Sequence, residues 1–336
     1  MIELVDKRYD NIRLVFHEAE HKYNDTMGND YISTTTILHR YAPKFDANYW
    51  ARRKSKELGI SEKKLKEQWA TITKEACERG TNTHNGLEDG IKGASQFQNA
   101  IQYLNKDIGD SMITIADIPT NIANYKRLDI NTFIEATNNK YPDIYSVFKK
   151  YSDLGYYIYA EIGMFMIDVL ISGTIDVLLI HDSGNKHVIG DWKTNRGGLQ
   201  FKSGYYKKDK TVKPHQLTNE WIDKDESLLP PINNLPNCNG SIYNLQLSMY
   251  AYGVEQILGI PNAGMWLCHI DSDFELNDYG MPRRFSDGLY HIKDNPIEKT
   301  TFYRMPYRKN EILRIIEDRK KELTANGINK QFSLGL

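Results

Sequence analysis

The spacing of apolar and polar positions changes several times along this chain, and each change marks a new kind of element. Short apolar runs such as Leu14-Val15-Phe16, with Asn24-Asp25 as a turn signal, predict strands and turns over residues 1 to about 35. A helical pattern follows over 35–90, with Ser33 or Thr34 as N-cap and Gly59 as a break. Periodicity is lost over 91–130, which reads as an irregular insertion. Tyr141 to Asp153 predicts a helix with Pro142 in its first turn. Apolar runs then predict strands near 156–167, 168–181 and 186–193, the last two joined by a hairpin turn at Asp182 to Asn185. A long connection covers 194–240, a length that is usually functional or mobile. A helix over 243–258, strands near 263–271, 288–293 and 301–304, and a closing helix near 308–324 complete the order.

This order predicts an α/β protein whose mixed central β-sheet is flanked by helices. Residues 151–336 form its core, and residues 1–150 an N-terminal, mainly helical lobe over the site. No internal repeat or low-complexity tract interrupts the chain.

Two of the strand-like runs carry charges. Gly173-Thr174-Ile175-Asp176 lies inside one, and Asp191-Trp192-Lys193 closes the next. Side chains alternate along a strand, so Asp191 and Lys193 share a face, and a neighbouring strand can set Asp176 beside them. Paired carboxylates make a hard oxygen site for Mg²⁺ or Mn²⁺. Such an ion can polarise a phosphodiester and activate water, while the lysine orients that water or stabilises developing charge. The alternative is a structural salt bridge at a strand edge.

Further residues extend the pattern. Gly80-Thr81-Asn82-Thr83-His84 lies upstream, with Glu88 four residues beyond His84, and Gln246 and Tyr250 share a helix face downstream. In chain order these read G-T-x-x-H, G-x-x-D, D-x-K and Q-x-x-x-Y. The set resembles the PD-(D/E)xK nuclease superfamily, in particular its RecB-like exonuclease branch, over roughly His84 to Leu258. The opening segment is similar, more loosely, to phage-type and mitochondrial genome-maintenance exonucleases, through Tyr31-x-Ser33-x-Thr35, Phe45-Asp46 and Tyr49-Trp50.

The resemblance implies a restriction-endonuclease-like core. It implies that His84, Asp176, Asp191 and the Trp192 carbonyl bind the metal, and that Lys193 is the catalytic lysine beside Asp176 and Asp191. Gln246 and Tyr250 would contact the DNA backbone or support the lysine. Glu161 would face the site or be a solvated strand residue. Glu88 would back the ligands or be a surface acid. Asp168 and His187 read as exposed strand residues.

Composition changes the picture only locally. With 336 residues, 40% hydrophobic and 26% charged, the chain has the profile of a globular protein. No apolar run reaches a membrane span of roughly 18 residues, and the N-terminus lacks the features of a signal or transit peptide. A cytoplasmic setting is expected, the host cytoplasm if the gene is phage-encoded. Cys77, Cys238 and Cys268 suit reduced core thiols, and three cysteines cannot supply the four-cysteine iron–sulfur cluster of some relatives. The net charge of −1 disfavours an unselective nucleic-acid binder, but basic and aromatic residues interleave in two stretches. One holds Tyr49, Trp50, Arg52, Arg53 and Trp69. The other holds Arg196, Phe201, Lys202, Tyr205, Tyr206, Lys207 and Lys208. Each is either a strand-binding surface or a solvated face.

The expected function is a metal-dependent DNA exonuclease acting on single-stranded or unwound ends in replication, recombination or repair, beside partner proteins of those pathways. A structure-specific or flap endonuclease on the same core is the first alternative. A non-catalytic nucleic-acid-binding module is the second.

Overall fold

The structure, a computed structural model, describes residues 5–6, 9–10, 12, 14–17, 20, 22–95, 114–115, 126–293 and 297–327. The elements are β1 (Val5–Asp6), β2 (Tyr9–Asp10), β3 (Leu14–His17), β4 (Lys22–Asp25), β5 (Asp30–Ser33), α1 (Thr34–His39), α2 (Ala47–Leu58), α3 (Glu62–Ala94), α4 (Ile130–Ala136) and α5 (Pro142–Asp153). They continue as β6 (Tyr156–Met166), β7 (Ile171–His181), β8 (His187–Lys193), β9 (Gly204–Asp209), β10 (Gln216–Asp223), α6 (Asn239–Leu258), β11 (Asn262–Asp271), β12 (Lys299–Arg304) and α7 (Lys309–Ala325).

The central sheet runs β12-β11-β8-β7-β5-β4-β3, with β6 on the other edge of β7. It is mixed: β6, β7 and β8 are antiparallel neighbours, while β11 runs parallel to β8 and β5 parallel to β7. β6 follows β7 along most of its length, but the opposite edge of β7 is divided. β5 pairs at Ile171 and Ser172, and β8 pairs from Val177 to Ile180. Between them, Gly173 to Asp176 have no ladder partner on that edge among the described residues. Strands diverge at this gap, so it can receive side chains.

Helices cover both faces. Ile37 and Leu38 of α1, Leu245 and Met249 of α6 and Ile312 and Ile315 of α7 pack into one core with Ile175, Leu178 and Ile189. Leu87 and Ile91 of α3, Phe133 of α4 and Ile144 and Phe148 of α5 pack into the other, with Val177, Leu179 and Trp192. The strand alternation shifts at the gap. On β6, Ile158 and Ala160 face the α3 layer, whereas Ile162 and Met164 face the α6 layer. Two residues of odd separation would normally lie on opposite faces and two of even separation on one. The shift falls at Glu161, a non-glycine residue with φ 50°. Left-handed backbone turns the strand over and costs on the order of 1 kcal/mol or more.

Local chemistry explains the helix boundaries. Ser33 Oγ accepts from Thr36 N at 3.1 Å, Asp46 Oδ1 from Tyr49 N at 2.9 Å and Ser61 Oγ from Lys64 N at 3.2 Å, each an N-cap. Gly59, at φ 68°, closes α2 as expected of a left-handed C-cap.

Several expectations need correction. The break expected at Gly59 does separate α2 from the 33-residue α3, but α3 runs past the expected end at 90 to Ala94. It passes through four glycines because two are packing sites: a Cβ on Gly90 would sit 2.8 Å from Thr137 Cγ2, and one on Gly80 would sit 3.2 Å from Thr194 Oγ1. The connection over 194–240 contains the β9–β10 hairpin, whose pattern is mostly polar. α6 begins at Asn239, before Tyr243. Residues 288–293 form no strand, only isolated bridges at Tyr290 and Ile292. His187 is fully buried, with Nδ1 2.9 Å from the Ile260 carbonyl. Asp168 is exposed in the β6–β7 turn, and Cys77 is exposed on α3. The insertion expected over 91–130 falls mostly outside the described residues.

Candidate active site

Asp176 occupies the gap on β7. Extending the β7–β8 register from Val177↔Gly190 sets it opposite Asp191. Its Oδ2 accepts the backbone N–H of Trp192 at 3.0 Å, so a side chain takes the place of a ladder bond. N–H and C=O of one residue point to the same edge of an extended strand, so the Trp192 carbonyl also faces the gap. The Trp192 indole is buried against Phe148 and Trp266 and anchors β8.

Glu161 lies across the β6–β7 pair from Asp176, between the pairs Ala160↔Val177 and Ile162↔Ile175. His84 reaches the same place from α3, with Nδ1 3.4 Å from Asp176 Oδ2. One ligand atom each of His84, Glu161 and Asp176 lie within 4.8 Å of one another, so the three could hold a metal ion. Burial, followed by the charges of Asp176 and Glu88, pushes the Glu161 carboxyl well above the usual carboxylate range. Glu88 is ion-paired to Lys92 one helical turn along α3. It therefore backs the cluster from α3 at the Glu161 side.

Asp191 and Lys193 form an ion pair on the shared face of β8. Gln246 joins them from α6: its Nε2 donates to Asp191 Oδ1 at 3.3 Å, and its Oε1 accepts from Lys193 Nζ at 3.4 Å. Gln246 Nε2 also lies 3.4 Å from the buried Tyr250 hydroxyl. Lys193 Nζ sits 4.8 Å from the centre of the Tyr243 ring. Burial first, then Asp176, pushes Asp191 up to about 6, with Lys193 opposing. Burial works against the Lys193 charge, but Asp191 and Asp176 outweigh it and hold the ammonium above its usual range.

Gly173 shows why glycine opens this motif. A Cβ there would lie 2.9 Å from the Tyr250 hydroxyl and 3.0 Å from Thr34 Oγ1. Gln246 and Tyr250 are both buried, Gln246 against Lys193 and Tyr250 behind Gln246. Glu161 was the less legible member: its left-handed backbone, not its sequence context, brings it into the ligand group. A cavity of about 1060 Å³ opens on the cluster, lined by His84, Trp192, Lys193 and Tyr243 among others.

The two basic stretches of the sequence meet elsewhere. Arg53 and Lys54 of α2 and Lys207 and Lys208 of β9 line a second cavity, of about 1090 Å³, with Phe45, Trp50 and Tyr205. Arg53 stacks 5.4 Å over Trp50, and Phe45 and Tyr205 are exposed. Lys207 pairs with Glu220 at 2.8 Å across the hairpin. Arg52 is exposed on α2, and Lys202 pairs with Asp223 at 3.3 Å; neither lines this cavity.

Comparison with family models, with curated proteins and with solved structures finds no match for the chain. The fold is a mixed α/β one with a central mixed sheet between helices, and the site is a His/Glu/Asp cluster able to coordinate a metal ion. No helix among the described residues is long and apolar enough to cross a membrane.

Proposed function

We propose that this chain is a divalent-metal-dependent nuclease of the PD-(D/E)xK type, hydrolysing DNA from single-stranded or unwound ends. One observation carries the reading. Asp176, Asp191 and Lys193 converge at the gap in β7, with His84 and Glu161 completing a donor set beside them. Three carboxylates in so small a space repel one another, and a divalent cation is the group that relieves this. The carboxylates suit Mg²⁺ and Mn²⁺, while the single imidazole is a donor that softer divalent ions prefer.

His84, Glu161 and Asp176 would hold the ion, with Asp191 and the Trp192 carbonyl beside them. The ion would polarise the phosphodiester and make bound water a better nucleophile. Lys193 keeps its proton and presents positive charge where charge develops on phosphorus. Gln246 fixes the direction of that ammonium and of Asp191. The cavity holding Arg53, Lys207 and Lys208 with Phe45 and Tyr205 supports a single strand as substrate: cations suit phosphates, and exposed rings suit unstacked bases.

The test is an assay on end-labelled linear single-stranded DNA beside covalently closed single-stranded circles, in Mg²⁺ or Mn²⁺. Degradation of linear strands alone, lost in Asp176→Asn, is expected. Cutting of circles would replace the exonuclease with an endonuclease on the same site. Binding without cleavage in either ion would leave a nucleic-acid-binding module.

A further inference from the structure

Two arginines in the cavity of the cluster take no part in the chemistry above. Arg79 lies on α3, five residues before His84, and Arg196 follows Lys193 by three. Both are half-buried in the lining of the cavity that contains His84 and Lys193. Among the described residues neither forms an ion pair, although Glu75 and Glu298 also line the cavity.

Aromatic rings position both guanidiniums instead. Arg79 lies 5.5 Å over Phe274, and Arg196 lies 3.5 Å over Tyr290. Arg79 Nη2 donates to the Thr194 carbonyl at 3.2 Å, while its Nε is buried with no partner. A ring orients the fork and strips water from one face, but it leaves the charge unneutralised. Burial, and then the charge of Arg196, lower the pKa of Arg79; burial lowers that of Arg196. The charges of Glu298, Glu75 and Asp271 oppose this at Arg79 without forming an ion pair, so two half-buried like charges are only partly offset in the free protein. An anion between them would remove the penalty.

We infer that Arg79 and Arg196 form a phosphate subsite beside the metal cluster, gripping a phosphate of the bound strand other than the one cleaved. This rests on the nuclease reading. The planar forks match phosphate oxygens two at a time. Phe274 and Tyr290 are occupied by the arginines, so this wall takes the backbone and not a base. The phosphate is either a terminal monoester, with a charge near −2, or an internal diester, with a charge of −1. The substrate arms below separate the two.

Inorganic phosphate titrated into metal-free protein should raise its unfolding temperature. Arg79→Gln and Arg196→Gln should lose that rise, and should unfold no earlier than the natural chain without phosphate. The lysine variants, which keep the charge and lose the fork, should recover part of it. Oligonucleotides of one sequence with a 5′-phosphate, a 3′-phosphate or hydroxyl ends are then bound in Ca²⁺. Weakening of about 10-fold in the glutamine variants is expected, the scale of one charged hydrogen-bonded contact. Confinement to one phosphorylated end assigns a terminal phosphate; equal weakening of all three assigns an internal one. In turnover the loss should fall on KM and largely spare kcat. Variants that bind phosphate and all three strands as tightly as the natural chain would overturn the subsite. No cleavage by the natural chain, with the phosphate effect intact, would sink the nuclease reading alone.

Discussion

Glu161 faces Asp176 across the β6–β7 pair with a left-handed backbone, φ 50°, and its carboxylate joins that of Asp176 beside His84. Like charges directly opposite on adjacent strands are destabilising, and so is a non-glycine residue in this conformation. Both penalties fall at one position, as expected where stability is given up for binding.

Replacing that acid should therefore strengthen the metal-free protein. The Glu161 pKa is raised by folding. Its stabilising contribution is thus complete below the ordinary glutamate value and is lost as pH rises through the folded value. At pH 8, Glu161→Gln should be more stable than the natural chain by about 1 kcal/mol, the scale of a like-charge cross-strand pair. The advantage should vanish in acid, and stabilisation by Mn²⁺ should vanish with the carboxylate. Thermal unfolding with and without Mn²⁺ at pH 4 and pH 8 measures this. A variant weaker at pH 8 would show that the acid stabilises the fold.

Lys193→Met keeps most of the stem and removes the charge. Cleavage should fall by about 10²-fold or more, the scale for loss of an electrostatic transition-state contact. Strand affinity in Ca²⁺ should stay within about 2-fold, because Gln246 and Asp191 still shape the pocket. Equal losses in binding and turnover would remove Lys193 from the chemistry.

Gly173→Ala places a methyl group against Tyr250 and Thr34. Overpacking of this kind costs about 1–3 kcal/mol. Tyr250 lies next to Gln246, and Gln246 holds Lys193, so turnover should drop further than stability alone explains. Denaturant unfolding and kcat, measured below the unfolding transition, separate the two effects. Unchanged kcat in folded protein would break this chain of contacts.

His187 gives an acid-stability prediction away from the site. Burial, only partly offset by the Ile260 carbonyl, lowers its pKa to about 4. A depressed folded pKa means that the contribution is complete above the unfolded value near 6.5 and is lost as pH falls toward 4. The contribution is on the order of 3 kcal/mol. The natural chain should lead His187→Gln by most at pH 7, and the gap should close by pH 4. A constant gap would mean that folding leaves the pKa of His187 unchanged.

The legible parts of the sequence were those with local signatures. Continuous apolar runs marked β6 to β8, and D-x-K spacing set Asp191 and Lys193 on one face. G-T-x-x-H pointed to His84, though its partner strands lie about 80–110 residues away. Glu161 was open because its role depends on a backbone flip that alternation does not encode. The β9–β10 hairpin was missed because Gly204 to Asp209 are all half-buried or exposed, so no apolar face marks the strand. The break at Gly59 was legible from its residue type, and α2 ends there before α3 begins.

The divided edge of β7 has a consequence for synthesis on the ribosome. β5 pairs with Ile171 and Ser172, some 140 residues downstream. At about 5–20 residues per second, roughly 7–30 s pass before that partner has even been made. The N-terminal strands must wait through this interval with one edge unfilled. Slowing translation between residues 34 and 170 would lengthen the exposure, and it is there that a chaperone would have most to protect.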